Sequence, residues 1–388
     1  MKIAIIPGIF FPEPGGAQAQ THNLANKLRE EGHEVDILLN RKTNLKNNEY
    51  KIFRLNNFIV SAVFAFQNWF NLDITFLLKY YLNNLIKKHK YDLWHFIFLN
   101  FKNLFIINCL KQLNQKIVVT FQGADVQIDK NINYGYRINK KYENFFLETL
   151  KNIDLFFCIS KTIEKDVINL SVSLKKILRT PNTVEISKIN LIKDNFKSQS
   201  QEYLKLITVA RYAEKKKGFD LVENISRKLI EKNIKFKWTF IGKNTFKIKK
   251  NKFVNGHKHY FNFIDNIENL DEKYFPNSKI IKKYLDSDLY VNLARIESFG
   301  LTFIESLACG VPIISFNTKG VNEIVKSHYN GFLVDNTNIE KMVELIKKIQ
   351  ENKDSIKNLR TNCTNSILKF DNTLITKKIA KHYVNLLN

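Results

Sequence analysis

A chain of 388 residues exceeds what one hydrophobic core usually organises and suffices for two domains. Its 44% hydrophobic and 25% charged residues exclude wholesale disorder, and four scattered cysteines without a CxxC pair exclude a zinc ribbon or disulfide framework and fit a reducing cytoplasm. A formal net charge of +24 would draw the protein towards a nucleic acid, an acidic membrane surface or a phosphorylated substrate, although a compositional bias with no partner behind it gives the same excess.

The opening residues carry an apolar run too short for a signal peptide, so Lys2 to Pro7 reads as a first strand. A loop with Gly15 and Gly16 leads into a predicted helix from about Ala17 to Glu31, capped by Gly32, and Val35 to Leu39 follows as the next strand of a parallel sheet. Phe53 to Leu85 is rich in Phe, Tyr, Trp and Leu, interrupted by Gln67, Asn68, Asn71 and Asp73, with no stretch long enough to call a membrane span. It reads either as helices packed on the sheet or as an interfacial segment that docks on a bilayer or lipid acceptor with Lys79, Lys87 and Lys88. Buried strands are predicted at Asp92 to Phe98, Lys116 to Phe121 and Asp154 to Ile159, and polar, patternless Glu185 to Glu202 reads as a linker.

From Leu204 the pattern restarts. Strand Leu204 to Ala210, helix Phe219 to Asn233, strand Lys237 to Ile241 and strand Asp288 to Leu293 are followed by short strands Pro312 to Phe316 and Gly331 to Val334. The expected fold is therefore α/β, with two doubly wound Rossmann-like domains, 1–190 and 200–371, facing across a cleft. Open sheets of this kind take ligands at the carboxyl ends of their strands.

Three loops carry chemistry-bearing residues. Arg295 to Pro312 reads as strand end, loop, helix, glycine cap and strand, with Glu297 in the loop and Glu305 in the helix. The helix start, at Phe299, Gly300, Leu301 and Thr302, would offer free backbone N–H groups and a positive dipole end to a phosphate. After the strand ending near Ala210 come Arg211 and a lysine run to Lys217-Gly218, where fixed cations can stabilise the charge that develops on a departing nucleoside diphosphate. The loop Pro12 to Gln18 holds Gly15 and Gly16, which let the backbone approach a ligand just before a helix N-terminus. Taken singly, two glutamates eight apart, a lysine run and a glycine pair are each compatible with plain loops.

In context, Arg295 to Pro312 resembles the E-x7-E signature of the retaining glycosyltransferases of family 4, also called glycosyl transferases group 1, whose fold is the two-domain GT-B type. The resemblance implies that Glu297 faces the donor sugar and Glu305 holds the nucleotide ribose. Val209 to Gly218 is similar to the family's G-R-x5-K-G element, with Ala210 in place of glycine, which implies diphosphate contacts for Arg211 and Lys217. Gly15 and Gly16 match the family's Gly-Gly loop beside the donor. Thr120 to Val126 resembles T-F-H-G-x-D-V, with Asp125 in place but Gln122 where the family has histidine. Glutamine bonds a hydroxyl yet carries no proton near neutrality, so either an active member without the imidazole or one with lost activity fits. His95 matches the first histidine of a further family element and reads either as cleft-lining or as a core histidine. The family's last helix often returns to the first domain, which implies the same for 372–388. Arg41 to Lys90 and Lys243 to Ser278 match least and are where acceptor contacts or insertions would lie.

The D-x-D at Asp286 to Asp288 falls at a helix end before a buried strand, and His257 and His259 lack further ligands nearby, so no metal is expected. The reading implied is a metal-independent, retaining hexosyltransferase-type enzyme with no cofactor. It would take a nucleotide-diphosphate-sugar donor and a glycan or lipid-linked acceptor in cell-envelope polysaccharide synthesis, in the cytoplasm or at an anionic membrane surface, with no nucleic acid. The alternatives are a nucleotide-sugar epimerase of the same fold, or an inactive basic protein that binds nucleic acid or membranes.

Overall fold

The computed structural model describes residues 1–12, 15–43, 45, 48–70, 72–197, 201–265, 267, 272–352 and 354–388. Glu13 and Pro14 of the glycine loop, Asn71 of the aromatic segment and residues 198–200 of the expected linker lie outside these. The chain divides into two compact units.

The first unit comprises Met1–Asn182, Leu270–Phe275 and Asn372–Asn388. Its sheet contains β1 (Lys2–Pro7), β2 (Glu34–Leu39), β3 (Lys51–Arg54), β4 (Leu93–Ile97), β5 (Ile117–Phe121), β6 (Leu155–Cys158) and β7 (Ile177–Arg179). All pairings are parallel, in the order β3-β2-β1-β4-β5-β6-β7. The central strands β4, β5 and β6 are buried along their whole length, as a parallel sheet covered on both faces requires. The edge strands β3 and β7 were not predicted, because both are short and partly exposed and so lack an apolar run.

Helix Gly16–Glu30 begins one residue earlier than expected and is followed by Gly32 at φ 84. Helix Asn372–Leu387 belongs to this unit and places Ile375, Ile379 and Tyr383 in one core with Ile3, Ile5, Ala25 and Leu28. Its anchor is polar. The Tyr383 hydroxyl and His95 Nδ1 share a hydrogen bond of 2.7 Å, and His95 Nε2 shares another of 2.7 Å with the Thr120 hydroxyl. Burial pushes the His95 pKa down to about 3, so the ring is neutral. Tyr383→Phe leaves one buried ring nitrogen unpaired and is expected to cost about 1–3 kcal/mol, read from the midpoint of urea unfolding. The segment around Phe275 is also held here: the Asn23 amide donates to the Phe275 carbonyl and accepts from its N–H, both at 2.8 Å, and the Phe275 ring stacks on Phe11 at 5.0 Å.

The second unit comprises Thr183–Asn269 and Pro276–Asp371. Its parallel sheet contains β8 (Leu204–Val209), β9 (Phe236–Ile241), β10 (Phe261–Ile264), β11 (Leu289–Asn292), β12 (Ile313–Phe316) and β13 (Gly331–Val334), in the order β10-β9-β8-β11-β12-β13. This repeats the order of the first six strands of the other sheet. Within the expected linker the chain instead forms helix Ile186–Asp194, which packs against helix Ser278–Leu285 of the same unit. Its signal is weak because Ile189 is its one buried residue. The strand order reverses between β1 and β4 in one sheet and between β8 and β11 in the other, which marks the carboxyl ends of those strands as ligand sites.

Candidate functional site

In the second unit the motif residues gather at the reversal between β8 and β11. Arg211, two residues past β8, is exposed and makes no hydrogen bond or ion pair among the described residues. The loop after it is braced twice. Gly218 takes φ 70, and a Cβ there would lie 2.1 Å from the Leu293 carbonyl oxygen, so only glycine lets the basic loop close against the β11 exit. Arg295 forks onto Asp220, with its two terminal nitrogens 2.8 and 2.7 Å from the carboxylate oxygens, and also donates to the Lys215 carbonyl at 2.6 Å.

On this braced loop Lys217 forms an ion pair with Glu297, bringing together two residues that lie in separate sequence motifs. Lys216, which the sequence reading did not single out, is drawn in beside them. Burial, aided by the charges of Lys217 and Arg211, pushes its pKa down to about 7. A run of three lysines gives no hint of which one turns inward.

Helix Leu301–Ala308 starts at Gly300, which takes φ 94, and no side chain caps it. Its first amides are therefore left for an outside acceptor. Behind this tip two tyrosines fix the helix. Tyr290 donates to the Thr302 hydroxyl oxygen at 2.8 Å, and Tyr284 donates to a Glu305 carboxylate oxygen at 3.1 Å. Glu305 is buried, and burial pushes its pKa up to about 8 against opposing contributions from Tyr284 and Lys188. Neither tyrosine stands out in sequence: Tyr290 falls in an apolar strand, and Tyr284 follows two lysines at the end of a helix. The Phe299 side chain is core, edge-on to Phe370 at 5.6 Å, so only its backbone borders the tip. Leu301 lies in the first turn, half-buried.

In the first unit the expected residues divide. Gly15 precedes and Gly16 opens helix Gly16–Glu30, whose N-terminus has no side-chain cap. Gln122 follows β5 and exchanges two long amide hydrogen bonds, 3.4 and 3.3 Å, with Asn182, a partner that sequence spacing could not reveal. Asp125, in place within the Thr120 to Val126 motif, is fully buried and accepts from the backbone N–H groups of Gly123 at 2.8 Å, Gln122 at 3.1 Å and Leu99 at 3.2 Å. Its carboxylate shapes the loop that presents Gln122; burial pushes its pKa up to about 6 although the three amides pull it down. His95 is the core histidine described above rather than a cleft-lining one.

The acids of the D-x-D sequence are engaged internally: Asp286 pairs with Lys205 at 2.7 Å, and Asp288 accepts from the Lys205 backbone N–H at 2.9 Å. His257 bonds the Phe253 carbonyl through Nδ1 at 2.9 Å. Among the described residues, no group of three or more His, Cys, Asp or Glu side chains could hold a metal ion.

Comparison with known proteins covers nearly the whole chain. The family Glycosyltransferase Family 4 matches residues 14–188, and the family Glycosyl transferases group 1 matches residues 192–367. An uncharacterized glycosyltransferase of Methanocaldococcus jannaschii is 25% identical over 100% of this chain and 99% of its own length. The amylovoran biosynthesis glycosyltransferase AmsK of Erwinia amylovora is 24% identical over 62% of this chain and 57% of its own. Among solved structures, Anabaena HepE in complex with UDP and glucose superposes with a TM-score of 0.73 at 15% identity, covering 99% of each chain. With two successive family matches and the paired parallel sheets of the GT-B fold, this chain belongs to the glycosyl transferases group 1.

Proposed function

We propose that this glycosyltransferase takes a nucleoside-diphosphate sugar as donor and transfers the sugar, with retained anomeric configuration and without a metal ion, to a glycan or lipid-linked acceptor in polysaccharide synthesis. The observation that carries the reading is the grouping at the ends of β8 and β11: an unpartnered guanidinium, an ammonium paired to a carboxylate, and an uncapped helix tip. These are the groups a diphosphate needs, and one carboxylate beside them suits a sugar hydroxyl. HepE, of the same fold, holds UDP and glucose, and AmsK acts in the synthesis of amylovoran.

On this reading Lys217 exchanges Glu297 for the donor diphosphate, which frees the Glu297 carboxylate for the sugar. As the glycosidic bond breaks, Arg211, Lys217 and the amides at Leu301 and Thr302 stabilise the departing phosphate oxygens, and one of these oxygens takes the proton of the acceptor hydroxyl. The acceptor enters on the face the diphosphate leaves, which gives retention. Cations built into the chain carry the charge that a divalent metal would otherwise neutralise. Turnover is therefore expected to be unchanged in EDTA, and the product anomer, read by NMR, should match the donor's.

A thermal-shift panel of nucleotides and nucleotide sugars tests the reading. A donor at about 100 times its Kd adds ~2.7 kcal/mol of stability, a clear rise in Tm. If no nucleoside diphosphate or its sugar raised the Tm, the proposal would fail; conversion of a nucleotide sugar without acceptor would indicate an epimerase instead. Gln122 adds a second check. Because an amide does not titrate, kcat/KM should show no acid limb from this position, whereas Gln122→His should acquire one near the ordinary imidazole pKa of about 6.5.

A further inference from the structure

Helices Asn57–Ala65 and Thr75–His89, with the turn Phe66–Phe70, lie over helix Phe101–Gln112 in the first unit. Their inner side is ordinary core: Val60, Val63, Leu78 and Leu82 are buried, and Phe64 packs edge-on against Phe101 at 5.3 Å. Their outer side is apolar as well. Phe58 is 82% exposed, Trp69 75% and Tyr80 70%, and Phe66, Phe70 and Phe76 are exposed with them. Single exposed apolar residues are common on protein surfaces, but six large aromatic rings within one stretch of chain mark an interaction surface.

The charge around this face indicates the partner. Between Glu49 and Asp92 the sequence has one acid, Asp73, against six lysines and arginines. Neighbouring elements add two more ammonium groups at its border: Lys102 donates to the Ser61 hydroxyl at 2.8 Å, and Lys141 donates to the Asn68 carbonyl at 3.3 Å. A second copy of this chain would bring the same basic border against this one, which like-charge repulsion opposes. A layer of acidic lipid headgroups has the opposite charge and an apolar interior just beneath.

We propose that this face docks on the surface of an anionic lipid bilayer. The aromatic rings enter at headgroup depth, and the lysines of helix Thr75–His89, Lys79, Lys87 and Lys88, contact the lipid phosphates. No helix among the described residues is long and apolar enough to cross a membrane, so the attachment lies in the plane of the interface. It is separate from the donor chemistry and needs no nucleotide.

The test is co-sedimentation of the full chain, without any donor, with vesicles of phosphatidylcholine alone and of phosphatidylcholine mixed with phosphatidylglycerol. Tryptophan emission is read in parallel. Of the three tryptophans, Trp94 and Trp238 are fully buried, so a blue shift on adding vesicles reports Trp69. The wild type should pellet with the anionic vesicles, remain in solution with the zwitterionic ones, and show the shift only in the first case. Trp69→Ser with Phe70→Ser, at exposed positions, should weaken vesicle binding by at least about tenfold with an unchanged Tm. The triple charge reversal Lys79→Glu, Lys87→Glu, Lys88→Glu should do the same. The proposal is overturned if the wild type ignores anionic vesicles or if the variants bind as it does. It is also overturned if light scattering shows a dimer that the serine variant breaks while no vesicle is bound.

Discussion

Arg211→Ala is expected to lower kcat by about 100- to 1,000-fold, or ~3 kcal/mol of transition-state stabilisation, with an unchanged Tm. The second half of that expectation follows from the fold. Because the guanidinium is exposed and makes no partner among the described residues, its removal breaks nothing in the free protein. Lys217→Ala should lose activity on the same scale for a different reason, since it also strips Glu297 of its ion-pair partner. The double variant separates the two roles. If both cations stabilise one departing diphosphate, their combined loss should fall short of the sum, as for groups that act as a unit. Near-wild-type turnover by the double variant, measured at saturating donor, would remove the diphosphate role from both residues.

The second large effect is on donor affinity as a function of pH. Glu305 is held near pKa 8 by burial, so the free enzyme carries it mostly protonated at neutral pH. If Glu305 holds the nucleotide ribose, as the family resemblance implies, the ribose hydroxyl donates best to the ionised carboxylate, so donor binding should release a proton and tighten as pH rises. With a pKa near 8, affinity should increase about tenfold from pH 7 to pH 9 and then level off. Glu305→Gln should bind more weakly than the wild type above pH 8 and show no such slope. Calorimetry in buffers of different ionisation enthalpy measures the proton release directly; none at pH 7 would exclude the ribose role. Stability of the free protein should run the other way. The folded carboxyl has a higher pKa than the unfolded one, so the folded state binds the extra proton, and this group's contribution is lost as pH rises from about 4.5 through about 8. Urea midpoints for wild type and Glu305→Gln should converge at pH 4 and separate with pH, in favour of the glutamine.

Much of this was legible in the sequence, and the exceptions share physical causes. The central strands announce themselves because both faces of a parallel sheet are buried, which writes an uninterrupted apolar run such as Leu155–Cys158. The edge strands Lys51–Arg54 and Ile177–Arg179 bury less and write no such run. Arg211, Lys217, Glu297 and the tip at Gly300 could be named from local motifs, but the pairing of Lys217 with Glu297 spans two motifs and is set by how two strand ends adjoin. The roles of Asp125 and His95 were open in sequence because a buried polar residue and a ligand-facing one look alike until their partners are known. One turned out to bind three backbone amides, the other a tyrosine nearly three hundred residues downstream. Lys216, Tyr284 and Tyr290 were not singled out because a lysine run, a helix end and an apolar strand do not reveal which side chain meets a polar partner, and the bond of Asn182 to Gln122 joins residues 60 apart in the chain.

The attachment of Tyr383 to His95 has a consequence for biosynthesis. A nascent chain that has emerged as far as Asn182 contains the residues of all seven strands of the first sheet, yet still lacks the helix that covers Ile3 and Ile5 and pairs the imidazole. At usual translation rates of about 5–20 residues per second, the ribosome needs roughly 10–40 s to supply it. Throughout that interval an oily surface on the first-made half stays open to chaperones and to neighbouring chains. Growth temperature and translation speed should therefore govern soluble yield more than the stability of the finished enzyme does.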